Sequence, residues 1–211
     1  MRRIFGVLLA GMVLVGAGCS PSSSSSSSSP SSPSSSSLPS TPSPVTSLPP
    51  TSSWTFQGKF SSERIDGKIA LIQTEKGEIV VELFASTAPI TVSNFVYLTE
   101  GGYYDGLTFH RRVEEFVIQG GDPNGNGTGG PGYRFQDELN DSYGYKRGIV
   151  AMANAGPDTN GSQFFIMLDD VELPKKYSIF GRVLSGLDVV DQIQIGDKMT
   201  KVLIEDKPLS E

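Results

Sequence analysis

From Ser20 to Ser53 the chain is almost wholly serine, proline and threonine. Such a run has almost nothing apolar to bury, so it cannot offset the entropy lost on folding. Any folded domain must lie to one side of it. As a flexible coil it would span on the order of 30 Å root-mean-square, with the prolines stretching it further. Residues 19–53 therefore read as a disordered linker with Cys19 at its head. Functionally that is a tether; the plainer reading is a spacer of no particular length.

The N-terminal side is too short for a domain and has a different logic. Arg2 and Arg3 precede a stretch, Ile4 to Val15, that is apolar apart from Gly6 and Gly11, and small residues then lead into Cys19. Charge, apolar run, small residues is the order of a secretory signal. The run falls short of the roughly 20 residues that span a bilayer. The sequence Val15-Gly16-Ala17-Gly18-Cys19 resembles a bacterial lipoprotein signal, although Gly16 stands where leucine is usual. That resemblance implies removal of residues 1–18, lipidation of Cys19 with diacylglycerol and palmitate, and a lipid-anchored place in the cell envelope outside the cytoplasm. It does not choose between a periplasmic and an outward-facing membrane surface. Two acyl chains suffice for stable anchoring. The alternative is an ordinary cleaved signal or an N-terminal anchor with an incidental cysteine. Cys19 is the only cysteine, so no internal disulfide forms.

Net charge is −6, and losing Arg2 and Arg3 takes it to −8. Nucleic-acid binding rewards basic surfaces through counterion release, so nucleic acid is not an expected partner. Charge alone would not hold the protein on an anionic membrane either.

Residues 54–211 carry the globular pattern. A chain of about 150 residues buries roughly two-thirds of its unfolded surface in one core. Gly67–Thr74 and Glu78–Phe84 flank a turn at Glu75-Lys76-Gly77. In the second, Ile79, Val81 and Leu83 alternate with their neighbours at the strand period. Pro89 opens a helix to Glu100 with Val92, Phe95, Val96 and Thr99 on one face, and Gly101-Gly102 ends it. Short β-type runs follow at Leu107–Arg111, Phe116–Gln119, Gly148–Ala153, Gln163–Leu168, Ser178–Leu184 and Met199–Glu205. A second helix is expected near Gly186–Ile195 with Ser185 as N-cap. Many short strands with two helices predict a mainly β fold, a closed or nearly closed antiparallel barrel capped by helices.

Three segments concentrate the chemistry. They are Phe109-His110-Arg111, the run Phe116 to Pro123, and the run Met152 to Ile166. Together they offer phenylalanines and a valine with one arginine and two amides. That mix suits an apolar ring attached to a peptide backbone. His110 is the only histidine, which excludes a multi-histidine metal site. Two patterns in one loop are decoys. Gly125-Asn126-Gly127-Thr128-Gly129-Gly130 fits a dinucleotide fingerprint, but Pro131-Gly132-Tyr133 follows it instead of a helix. Asp122 begins a calcium-loop pattern whose twelfth position is Tyr133 in place of glutamate.

The same three segments, with Thr87–Phe95 and Tyr133–Glu138, resemble the cyclophilin family of peptidyl-prolyl isomerases from about Gly67 to Glu205. The resemblance implies a closed eight-stranded antiparallel barrel capped by two helices, with its site on the outer face and no metal or organic cofactor. It implies catalysis by Arg111. It implies a proline-ring pocket of Phe116, Val117, Phe165 and Leu173, with Gln119 and Asn154 holding the substrate backbone. Ala153 and Ala155 would line its path, His110 would neighbour the arginine, and Tyr177 would sit at the rim. The expected partners are proline-containing peptides and unfolded or folding proteins, met by a monomer. Many eukaryotic members bind cyclosporin through a tryptophan where this chain has Glu172, so the resemblance does not carry cyclosporin binding over. The competing reading is a proline-segment binding or chaperone module in which turnover is irrelevant.

Overall fold

The computed structural model describes residues 54–208. The leader, Cys19 and the Ser/Pro-rich run lie outside them. In order the elements are α1 (Ser62–Ile65), β1 (Lys68–Thr74), β2 (Gly77–Leu83), α2 (Pro89–Glu100), β3 (Arg111–Val113), β4 (Val117–Gly120), β5 (Ile149–Met152), β6 (Phe164–Met167), β7 (Ile179–Ser185), α3 (Leu187–Gln192) and β8 (Met199–Asp206). The strands form one antiparallel sheet in the order β3-β4-β6-β5-β7-β2-β1-β8.

The sheet curls but does not close as a continuous ladder, which corrects the closed-barrel expectation. Edge strands β3 and β8 are not paired with each other. The expected strand at Leu107–Arg111 begins only at Arg111. The residues before it meet the turn before β8 through a single bridge, Thr108 to Lys198. Gly106 N–H donates to Met199 O at 2.7 Å, and Phe109 N–H to Asp197 O at 2.9 Å. Those bonds join the segments beside the two edge strands without a ladder between β3 and β8.

Period-2 alternation sorts the strands onto two faces. Ile118, Val150, Met152, Phe164 and Ile166 point into the main core with Ala70, Ile72, Ile79, Val81 and the helices α2 and α3. Their neighbours Val117, Ile149, Ala151, Phe165 and Met167 point the other way. With Phe84, Tyr145 and Ile179 they form a second apolar cluster on the outer face. These central strands read as unbroken apolar runs because both of their faces are covered.

Helix α2 follows the expected boundaries, but it is buried on more than one face. Ser93, Asn94 and Leu98 are buried beside Val92, Phe95 and Val96. Residues 54–60 lie over Ser93 and Tyr97, while Tyr133 and Gly161 cover Asn94. Phe60 N–H donates to Ser93 Oγ at 2.9 Å, and Trp54 meets Tyr97 edge-on at 5.7 Å. The N-cap position, Ala88, has no capping side chain. Glu138 supplies one from a distant loop: its carboxylate accepts from Ile90 N–H at 3.0 Å and from Thr91 N–H at 2.8 Å.

Two further corrections concern the helices. The short α1 makes a third helix. The N-cap of α3 is Gly186, not Ser185, and the helix spans only Leu187–Gln192. Ser185 is still in β7, paired with Val80. Gly186 turns with φ +86°, and a Cβ there would come within 2.3 Å of Glu78 O.

Candidate active site on the outer face

Strand register builds the site. Arg111 lies opposite Gln119, Gln119 opposite Phe165, and Phe165 opposite Ala151. One row thus crosses β3, β4, β6 and β5, and spans about 14 Å at the usual strand spacing. The row runs from an exposed guanidinium, through an amide, into an apolar patch.

The patch gathers the residues expected to grip a ring. Val117 is 2% exposed and Phe165 6%, while Phe116, Ala153, Leu173 and Tyr177 are partly exposed and pack against them. Tyr177 stands edge-on to Phe165, with ring centroids 5.4 Å apart. Tyr145 holds it there: the Tyr145 hydroxyl donates to Tyr177 O at 3.0 Å and accepts from Tyr177 N–H at 3.1 Å. Arg111 sits at the rim, its Cζ 5.8 Å from the centre of the Phe116 ring.

Polar side chains next to the patch form a relay. Arg111 Nη1 donates to Gln119 Oε1 at 3.4 Å, and Gln119 Nε2 to Gln163 Oε1 at 2.9 Å. Gln163 Nε2 donates onward to Gly127 O at 3.0 Å and Gly129 O at 2.8 Å. Gln163 and Tyr145 carry no local signal for these roles, which depend on the segments that fold against them. Gln163 was visible only as part of the long Asn/Gly segment.

His110 lies beside this relay without joining it; neither ring nitrogen is hydrogen-bonded to another described residue. Burial holds its pKa below the ordinary histidine value; the Asp122 charge opposes that effect and Arg111 adds to it. The ring is therefore neutral at pH 7. Asn154 anchors the site's rim. Its Nδ2 donates to Lys176 O at 2.8 Å, next to Tyr177, which leaves that amide group already engaged. Ala155 is exposed, and its N–H donates to Thr159 Oγ1 at 2.8 Å.

A groove of about 780 Å³ continues from the patch. Gln119, Ala153, Asn154, Ala155 and Gln163 form its near side, and loops 127–134 and 159–162 its walls. Asp122 fixes the start of the first loop. Its carboxylate accepts from Asn124 N–H at 2.8 Å, from Asn126 N–H at 2.9 Å and from Gly127 N–H. The calcium-like pattern is thus a carboxylate turned onto its own backbone.

The chain as a whole is similar to known proteins. Residues 69–210 fit the family model of cyclophilin-type peptidyl-prolyl cis-trans isomerase/CLD. A Helicobacter pylori peptidyl-prolyl cis-trans isomerase is 48% identical over 138 residues, 64% of this chain and 85% of the relative. A Schizosaccharomyces pombe peptidyl-prolyl cis-trans isomerase is 52% identical over 123 residues, 56% of this chain and 79% of the relative. Among solved structures, a Cryptosporidium parvum cyclophilin-type isomerase in the presence of the dipeptide Ala-Pro superposes with a TM-score of 0.62. It is 35% identical and covers 65% of this chain and 98% of its own. The family model spans well over half of the chain and the relatives share its fold: the chain belongs to the cyclophilin-type peptidyl-prolyl cis-trans isomerases.

Proposed function

We propose that Arg111 drives the isomerisation by stabilising the twisted amide, while Phe116, Val117, Phe165 and Leu173 hold the proline ring. The observation that carries this reading is the register row, which sets a guanidinium at the rim of an apolar pocket. An X-Pro bond rotates over a barrier of ~18–20 kcal/mol because rotation breaks amide resonance. Uncatalysed exchange takes ~10–100 s at 25 °C. Millisecond turnover requires lowering that barrier by ~5.5–7 kcal/mol.

No bond breaks, so no nucleophile is needed; the site must only bind the twisted amide better than either planar form. As the amide twists, its nitrogen becomes pyramidal and gains a lone pair. A guanidinium N–H aimed there favours that state, and a preorganised donor of this kind contributes about 3–4 kcal/mol. The dry pocket of Phe116, Val117 and Phe165 fixes the ring while the preceding carbonyl turns. Gln119 and the backbone of Ala153 to Ala155 steady the chain on either side.

The clients on this reading are exported proteins with proline-containing segments, reached from a lipid anchor at Cys19. The order of charge, apolar run, small residues and lone cysteine supports that anchor. Mass spectrometry of the protein purified from membranes tests it: a diacylated N-terminal cysteine is expected, and an unmodified peptide starting elsewhere would overturn it. Catalysis is tested by isomerisation of an Ala-Pro-Phe peptide with the full chain in detergent. Arg111→Ala is expected to lower kcat/KM at least tenfold. Full activity in that variant would remove Arg111 from the mechanism, and absence of wild-type turnover would leave a proline-segment binding module.

A further inference from the structure

Residues 54–60 precede the region that fits the family model, yet they are built into the domain. They run extended, with Trp54, Phe56 and Phe60 turned inward and Thr55, Gln57 and Lys59 exposed. Trp54 packs edge-on to Tyr97 and Tyr103, and Phe60 lies beneath the Arg64 guanidinium at 3.7 Å. These two rings cover helices, Trp54 the C-terminal turn of α2 and Phe60 both α1 and α2.

Phe56 does something else. Its ring stacks on Tyr133 with centroids 5.8 Å apart and planes 21° from parallel, and it meets Phe135 at 6.0 Å. Tyr133 is a wall of the groove beside the proline pocket. The Tyr133 hydroxyl donates to Asn94 Oδ1 at 2.7 Å, and Asn94 Nδ2 donates to Gly161 O at 2.8 Å. Gly161 lines the groove as well, packed beside Pro131 and the Tyr133 carbonyl. Burial, with smaller effects from Tyr97 and Tyr103, holds the Tyr133 phenol above its ordinary pKa, so it remains a donor. Tyr133 and Gly161 are thereby tied to the buried Asn94 of α2, and Phe56 closes the back of Tyr133.

Resting on the isomerase reading above, we propose that Phe56 is a positioning residue. It holds the Tyr133 ring in place along the groove and so determines which peptide segments flanking the proline the enzyme prefers. A wall held in place needs no ordering when a peptide enters the groove; a loose wall must be ordered at binding, which weakens affinity. The effect falls on peptides long enough to enter the groove and spares the proline pocket itself.

The probes are the dipeptide Ala-Pro and the same dipeptide lengthened by three alanines before or after it, with Kd measured on the full chain in detergent. In the wild type, one extension strengthens binding. In Phe56→Ala that gain shrinks at least threefold, Phe56→Leu gives an intermediate gain, and Phe56→Tyr restores it. Arg111→Ala lowers turnover but leaves the gain intact. An undiminished gain in folded Phe56→Ala or Phe56→Leu overturns the proposal, as does a wild type that gains nothing from either extension. Absence of wild-type turnover with the gain still dependent on Phe56 would sink the catalytic reading and leave the positioning role standing.

Discussion

Arg111 and Gln119 face each other across the β3–β4 pair, and the guanidinium reaches the Gln119 side-chain oxygen at 3.4 Å. Gln119 is itself held by Gln163, which is held by two loop carbonyls. The arginine is therefore aimed from a rigid chain of amides, and such contacts tighten when substrate arrives. Gln119→Ala is expected to lower kcat/KM by about 5–20-fold, since a contact of 3.4 Å contributes less than the ~1.5–3 kcal/mol of a well-formed hydrogen bond to a charged group. Arg111→Lys should stay within a few-fold of Arg111→Ala, because an ammonium lacks the planar fork that fixes donor direction. A Gln119→Ala enzyme within twofold of wild type would mean that the arginine aims itself.

The α2 N-terminus depends on Glu138. Without it, the N–H groups of Ile90 and Thr91 and the Thr91 hydroxyl lose an anionic acceptor at the positive end of the helix dipole. Glu138→Ala is expected to cost about 1–2 kcal/mol, comparable to losing a helix cap. For a domain of this size that lowers Tm by about 2–8 °C. Calorimetry on wild type, Glu138→Ala and Glu138→Gln checks it. The glutamine keeps one acceptor oxygen and should fall between the other two.

What could be read from the residues and what could not divide along a physical line. Helix α2 announced itself through Pro89 and its apolar spacing, and β1, β2, β5 and β6 through alternation or unbroken apolar runs, because those signals are local. Glu138 as the cap of α2 lies 47 residues from Thr91 in sequence, and nothing local marks it. The segments beside the sheet's edge strands are joined without a ladder, by backbone bonds between Gly106–Phe109 and Gly196–Met199 that no side-chain pattern encodes. The resemblance named candidate ring-binding residues, and the structure brings them onto one face; the row Arg111–Gln119–Phe165–Ala151 is a property of register across four strands. Trp54 carries no local signal beyond standing where the globular pattern begins. Its role, and that of Phe56, emerges only from the aromatic surface of α2 and of the 133–135 loop.

Tyr145 offers a test of pocket architecture separate from chemistry. Its hydroxyl bridges the N–H and carbonyl of Tyr177, and so keeps that ring edge-on to Phe165. Tyr145→Phe removes both bonds without changing the buried volume. Substrate binding is expected to weaken, with KM rising about 3–10-fold and kcat falling less than twofold, because Arg111 is untouched. A fall in kcat at unchanged KM would show that the rim shapes the transition state and not merely the bound peptide.

Asp122 links the glycine loop to pH. The residue is 1% exposed. Burial disfavours its charge, but the N–H groups of Asn124, Asn126 and Gly127, with His110 nearby, outweigh that and hold its pKa below the ordinary aspartate value. A carboxylate with a depressed folded pKa contributes stability above its unfolded pKa of about 3.9, and loses it as pH falls through the folded value. Asp122→Asn keeps one acceptor where three N–H groups converge, and is expected to cost about 2–3 kcal/mol at pH 6. Other carboxylates lowered by ion pairs, such as Glu82 and Asp197, titrate alike in both proteins and cancel in the difference. Denaturant unfolding of wild type and Asp122→Asn from pH 6 to pH 2 should therefore show a gap that first widens, as His110 gains its charge beside Asp122 but not beside the asparagine, and then narrows below about pH 4.5 as Asp122 itself titrates. A gap that does not change with pH would mean that the loop is held by its glycine turns and not by the carboxylate charge.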